Sequence, residues 1–286
     1  MSINTCIIVC GPTAVGKTDY GFQLAREYNT EIISADSRQC FRELNIGVAK
    51  PSAKQLNQVH HYFINTHSIH EEVNAKIFEE YALNAAHSIF QKKETAVMVG
   101  GTGLYIKAFA EGLDAIPEIR EDIRKEINEQ YLLNGFDWLY TELKNRDPVF
   151  FAKGEMKNPQ RMLRALEVKF STGTSIINFH SKQKAKRKFE IKFRLLQLPR
   201  EKLYKNINER VDLMIENGLL KEAESLYPYK HLNSLQTVGY RELFEHFDGK
   251  YSLKKAVEEI KKNTRHYAKR QMTWFRKNLE NIKQVY

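Results

Sequence analysis

The octapeptide Gly11-Pro12-Thr13-Ala14-Val15-Gly16-Lys17-Thr18 limits what this chain can be more than any other stretch. It fits the pattern G-x-x-x-x-G-K-[ST], and it stands where that pattern has physical meaning. Before it runs Thr5–Cys10, short, β-branched and uniformly apolar, as suits a buried parallel strand. After it comes a helix-forming segment whose inner face carries Phe22, Leu24 and Ala25. A glycine turn between strand and helix points successive backbone N–H groups inward, and the helix dipole adds partial positive charge. Lys17 supplies a mobile full charge for the outer phosphate, and Thr18 offers a hydroxyl to Mg²⁺. The expectation is a loop that holds phosphates.

The rest of the chain extends that unit. A second strand, 31–35, ends at Asp36; a helix follows over 77–93, then a strand, a glycine turn and another helix over 95–112. This is the doubly wound α/β order. Near Pro117 the character changes to charged, helix-forming sequence with no buried-strand run. Residues 188–199 alternate like a strand that returns to the sheet, and helices follow over 200–217, 219–226, 239–247 and 252–280. The spacing predicts an α/β fold, a P-loop NTPase-like parallel sheet flanked by helices, built from residues 1–116 and 186–286. An all-α insertion, 117–185, interrupts it, with the basic stretch SKQKAKRK (181–188) at the junction.

Composition narrows the partners. A formal charge of +10 over 286 residues favours a polyanion such as nucleic acid. No apolar run approaches the roughly 18–20 residues of a membrane span, and the start lacks a basic n-region, so no membrane association is expected. Three cysteines, Cys6, Cys10 and Cys40, are too few for a disulfide framework and suit a reducing cytoplasm. His60, His61, His67 and His70 have no cysteine or carboxylate cluster to complete a metal site, and they read as packing or surface residues.

Many phosphate-loop proteins carry a carboxylate at the end of a later strand to position Mg²⁺. Here the later strand ends in Gly100-Gly101-Thr102-Gly103, and the acid sits instead at Asp36. In an open α/β sheet that is the carboxyl-end crevice where substrates lie. A turn or cap role would also suit Asp36. Two activities remain open on these residues: a small-molecule kinase, or a transferase whose donor carries a departing diphosphate.

The segments GPTAVGKT, ISADSRQCFRELNIGVAKP (33–51), VGGTGLYIKAFAEGL (99–113), NPQRMLRALEV (158–168), TVGYREL (237–243) and RHYAKRQMTWFR (265–276) occur in this order. Together they resemble the tRNA dimethylallyltransferase (isopentenyl-tRNA transferase) family over nearly the whole chain. The resemblance implies transfer of a dimethylallyl group from dimethylallyl diphosphate to N6 of the adenosine 3′-adjacent to the anticodon, with Mg²⁺. It implies that residues 11–18 hold the donor's diphosphate, that Asp36 is the catalytic carboxylate, and that Thr102 lies near both substrates. Arg210, which on its own helix reads as a surface charge beside the stripe Ile207, Val211 and Met214, matches an arginine that reaches the diphosphate. Rival readings are an adenylate isopentenyltransferase using the same donor, an ATP-dependent kinase, and a tRNA-binding protein without catalysis.

The resemblance also maps a tRNA surface for the anticodon stem-loop. It takes in Asp36, Ser37, Arg38 and Gln39 at the target base, with Thr102, and Arg120 at the start of the insertion. Gln160, Arg161, Met162, Leu163 and Arg164 match an insertion segment touching the anticodon arm. Val238, Gly239, Tyr240, Arg241, Lys269, Arg270, Gln271 and Trp274 match contacts on the core side. Basic residues interleaved with Tyr267, Trp274 and Phe275 along the C-terminal helix suit phosphate contact and base stacking. The chain departs from many relatives at Cys40-Phe41, where the second residue is often tyrosine, and at Val48, where threonine is common. Each change removes a hydroxyl near the site. The run Leu113–Arg120 looks shortened, and no C-terminal Cys/His module of the kind eukaryotic relatives carry is present, so the expectation is a bacterial-type enzyme without zinc; a monomer is expected as well.

Overall fold

The computed structural model describes residues 3–181, 183–279 and 283–285. Lys182 of the basic junction and Glu280, the last residue of the expected C-terminal helix, lie outside the described residues. The chain forms two compact units, Met1–Gly112 with Ala185–Tyr286, and Leu113–Lys184. The boundary thus falls at Gly112, which ends a helix at φ 81°, a few residues before Pro117.

In the larger unit, strands β1 (Thr5–Cys10), β2 (Ile32–Ala35), β3 (His61–Tyr62), β4 (Thr95–Gly100), β5 (Glu190–Leu196) and β6 (Lys283–Val285) form one sheet. Its order is β3-β2-β4-β1-β5-β6, and every pairing is parallel. β1 sits centrally because its side chains are apolar on both faces. Cys6, Ile8 and Cys10 enter one buried cluster and Val9 the other. Each aliphatic side chain taken fully out of water there contributes about 1.5–3 kcal/mol. The three thiols are buried in that core as free cysteines, which fits a packing role.

Helices α1 (Lys17–Glu27), α2 (Ala53–Gln58), α3 (Ala75–Phe90), α4 (Gly103–Glu111), α8 (Arg200–Glu216), α9 (Leu219–Leu226), α10 (Tyr240–Phe247) and α11 (Leu253–Asn278) cover this sheet. Their ends follow local chemistry. Asn74 accepts the Lys76 and Ile77 amides at the start of α3, and Ser252 accepts the Lys255 amide at the start of α11. Along α11, Ala256, Ile260, Ala268, Gln271 and Phe275 face inward at helical spacing.

The smaller unit contains α5 (Glu121–Arg146), α6 (Pro148–Lys153) and α7 (Pro159–Thr172). α5 is broken at Gly135, whose φ of 70° and ψ of −159° are not helical. Asn158 caps α7 through the Gln160 and Arg161 amides, Pro159 opens it, and Gly173 closes it in the left-handed conformation. Leu139, Leu143, Met162, Leu163 and Leu166 form this unit's own core. Among the described residues no helix is long and apolar enough to cross a membrane.

Candidate active site

At the carboxyl end of the sheet the larger unit holds a cleft of about 420 Å³. Five cations (Lys17, Arg38, Arg210, Arg241 and Arg270) line it against two acids, Asp19 and Asp36. That imbalance makes the cleft attractive to anions.

One wall is the glycine loop. Gly16 takes φ 96°, a conformation that disfavours a Cβ, and this turns the chain into α1. No side chain caps α1, so the first-turn amides keep their anion-binding capacity. Thr13, Ala14, Gly16, Lys17 and Thr18 line the cleft. Gly11, Pro12 and Val15 are buried behind it, and Val15 packs in the second core cluster, so these three are the loop's footing. The Lys17 Nζ donates to the Pro12 carbonyl at 2.6 Å. Burial, with the Arg210 charge adding to it, pushes the Lys17 ammonium down to about 8.

The loop is braced by distant side chains. Gln271 on α11 accepts the Thr13 amide through its side-chain oxygen (2.8 Å) and donates its side-chain N–H to the Gly101 carbonyl (2.9 Å). Asn206 on α8 donates to the Ala14 carbonyl (3.2 Å). Arg210, one turn further along α8, donates to the Thr13 hydroxyl (3.4 Å) and lines the cleft. The structure therefore corrects the surface reading of Arg210. Its guanidinium is largely buried, which lowers its pKa, while Asp19 and Asp36 act in the opposite sense.

The facing wall begins where β2 ends. Asp36 Oδ1 accepts the Arg38 amide at 2.9 Å and the Gln39 amide at 3.3 Å. The carboxylate thus closes its own turn and also lines the cleft, so the turn reading and the substrate-facing reading hold together. β4 comes close enough for this because Gly100 has no side chain: a Cβ there would lie 2.1 Å from the Ala35 carbonyl oxygen. Thr102 stands just behind the cleft wall. Its hydroxyl accepts the Ser37 amide (3.1 Å), and its own amide donates to the Ala35 carbonyl (3.2 Å).

Several residues expected to face tRNA are instead buried or committed to contacts within the protein. Tyr240 is 0% exposed, and its hydroxyl donates to Glu222. Gln271 is spent on the loop, and Gln39 makes three side-chain bonds within the protein. Trp274 packs its ring against Gly103, and Phe275 is in the core. In the smaller unit Met162 and Leu163 are buried, because α7 turns that face inward, whereas Gln160 and Arg161 are exposed and Arg164 half-buried beside Glu167. Arg120 is exposed and pairs with Asp122. Around the cleft Arg241, Arg270, Lys269 and Tyr267 remain accessible, with Val238 and Gly239 in the wall. The Arg270 guanidinium lies 5.9 Å from the Tyr267 ring centre.

For a metal, the Thr18 hydroxyl is a hard oxygen donor in the cleft, and a bound diphosphate would add further oxygens. That donor set fits Mg²⁺, which keeps several waters and needs few protein ligands. No cluster of three His, Cys, Asp or Glu suited to a metal occurs among the described residues.

Comparison with known proteins gives the family. The family model for IPP transferase matches residues 39–278, a stretch that starts after the phosphate loop. The tRNA dimethylallyltransferase of Christiangramia forsetii is 48% identical over 277 residues, covering 97% of this chain and 92% of the relative. The crystal structure of the full-length tRNA isopentenylpyrophosphate transferase of Bacillus halodurans superposes with a TM-score of 0.72 at 34% identity, covering 99% of this chain and 89% of that one. A eukaryotic dimethylallyltransferase captured acting on tRNA superposes with a TM-score of 0.82 at 27% identity, over 99% of this chain and 73% of the other. With the loop, the facing carboxylate and the family match in agreement, the chain belongs to the IPP transferase family of tRNA dimethylallyltransferases.

Proposed function

We propose that this protein transfers the dimethylallyl group of dimethylallyl diphosphate to N6 of the adenosine 3′-adjacent to the anticodon in tRNA, releasing diphosphate, as a monomer in the cytoplasm. The observation that carries the reading is one cleft lined by Thr13, Ala14, Gly16, Lys17 and Thr18 together with Asp36 and Arg210. The donor's diphosphate lies against the α1 amides, with Lys17 exchanging its neutral carbonyl partner for phosphate oxygen and Arg210 approaching from α8. As the allylic C–O bond breaks, its electron pair goes to the diphosphate. Preorganised donors in a low-dielectric cleft stabilise that developing charge. About 4 kcal/mol of such differential stabilisation is about a thousandfold in rate. Thr18 would hold Mg²⁺, which supplies further neutralisation of the diphosphate when bound.

Asp36 acts on the other substrate. The N6 lone pair is delocalised into the adenine ring, so a carboxylate that holds the amine in line raises its reactivity. The N6–C bond forms, and the amine proton passes to Asp36. Thr102 keeps the turn in place through Ser37. The adenine must leave its stack to reach this depth, at a cost of a few kcal/mol. Ser37, Arg38, Arg241, Lys269 and Arg270 receive the RNA on the larger unit, and Arg120, Gln160, Arg161 and Arg164 contact the anticodon arm from the smaller one.

The test offers labelled dimethylallyl diphosphate with tRNA or with AMP, and separately ATP with candidate acceptor alcohols. Label in tRNA is the expected result. Label in AMP alone, or ATP turnover with an acceptor, overturns the reading. tRNA affinity that stays flat between about 50 and 250 mM salt would remove the basic RNA surface.

A further inference from the structure

Residues 45–50 form a turn that enters the cleft wall through Gly47, Val48 and Ala49. Ala49 takes φ 48°, a left-handed conformation that a residue with a Cβ adopts only under constraint. Two side chains supply the constraint, one from each side. Glu222 on α9 accepts the Ile46 amide on Oε2 (2.9 Å) and the Gly47 amide on Oε1 (3.0 Å), and Oε1 also accepts the Tyr240 hydroxyl (2.6 Å). From within the cleft, Gln39 donates its side-chain N–H₂ to the Val48 carbonyl (3.2 Å) and the Ala49 carbonyl (3.1 Å). The Gln39 side-chain oxygen accepts the Ser34 hydroxyl (3.1 Å). Lys50 closes the far end of the turn by donating to the Phe41 carbonyl (2.6 Å).

The backbone amide of Gln39 donates to Asp36 Oδ1. A continuous path of hydrogen bonds therefore runs from Glu222, through the 45–50 turn and Gln39, to Asp36. We infer that Glu222 is a positioning residue for the Asp36 carboxylate, acting through this turn and not through substrate. Only a carboxylate meets the demand at its position, because both oxygens must accept. A glutamine there has one accepting oxygen and one N–H₂, so one turn amide would face a donor. The turn would then shift, Gln39 would follow its two carbonyl partners, and Asp36 would leave its line. Misplacement by about 1 Å can cost on the order of a hundredfold in rate.

The inference rests on the proposed transferase activity, so wild-type transfer to tRNA is measured first. Absence of transfer at that stage counts against the activity itself, before any variant is made. With wild type active, Glu222→Gln should lower the single-turnover rate constant at saturating donor and tRNA by about 10- to 100-fold. The tRNA Kd should stay within about twofold, because Glu222 touches no RNA-facing side chain. Gln39→Leu cuts the same path and should give a loss of similar size. The double variant should be no slower than the slower single one, since two cuts in one path count once. Losses that multiply in the double variant overturn the inference, as does a Glu222→Gln rate within twofold of wild type. If Glu222→Gln does not fold by circular dichroism, Glu222→Asp, which keeps the charge but shortens the reach, enters the same cycle under the same two criteria.

Discussion

The two walls of the cleft are made in opposite ways. The phosphate loop is local: eight consecutive residues, a strand before them and a helix after them create most of its chemistry, and distant residues only brace it. The Asp36 wall is assembled from remote parts: a turn after β2, the 45–50 segment, the glycine end of β4, and the Glu222 carboxylate of α9 that accepts the Ile46 and Gly47 amides. In the proposed reaction, the first wall offers backbone donors to an anion that brings its own charge, and the second aims one carboxylate at one amine. Binding an anion tolerates a generic device, whereas aiming a proton acceptor requires neighbours that no short motif contains.

The largest expected effect separates the walls directly. Asp36→Ala should cut single-turnover transfer by about 10³-fold or more while tRNA affinity stays within about twofold. An unchanged rate would leave the second wall without a chemical role. Next, Lys17→Ala should lower kcat/KM for dimethylallyl diphosphate by about 10²-fold, again with tRNA binding preserved, as read by filter binding. A loss of tRNA affinity in that variant would merge the two walls into one RNA site.

A smaller effect comes through pH. Lys17 sits near 8 in the fold against an ordinary value of 10.5. Between those values the unfolded chain binds more protons, so this group's contribution to stability rises with pH across about 8 to 10.5, and its full cost is present below 8. The stability advantage of Lys17→Met over wild type in urea melts should therefore shrink across that window. Lys50, also held near 8 by burial, titrates in both proteins and cancels in the comparison. The smallest effect belongs to the surface. Lys269→Ala should weaken tRNA binding by a few fold and reduce the salt-dependence slope by about 1.

Much of the first wall was readable from residue order alone, as were the long helices, because strand, glycine turn and amphipathic period are all short-range signals. α8, α9 and α11 end within about two residues of the stops expected at Gly218, Leu226 and the C-terminal segment. β3 and β6 carried no such signal: they are two and three residues long and join the sheet through backbone pairing, with too few side chains to alternate. Arg210 looked like a surface charge since helical spacing gives its angle but not what lies opposite, and opposite lies Thr13. Glu222 sits in Lys-Glu-Ala-Glu, a run that reads as solvated helix face, and only the fold brings the Ile46 and Gly47 amides to it. Met162, Leu163, Tyr240 and Gln271 lie within motifs that resemble RNA-contact segments, yet each serves the interior, because every one of these helices must be held to its own unit along one face.

The central place of β1 has a consequence for how the protein is made. Thr5 pairs with Thr95 on one side and with Glu190 on the other. At roughly 5–20 residues per second, a ribosome delivers that second neighbour on the order of ten to forty seconds after the first strand emerges. Through that interval at least one edge of an apolar ribbon stays uncovered, and an uncovered apolar edge is a template for wrong pairing with another chain.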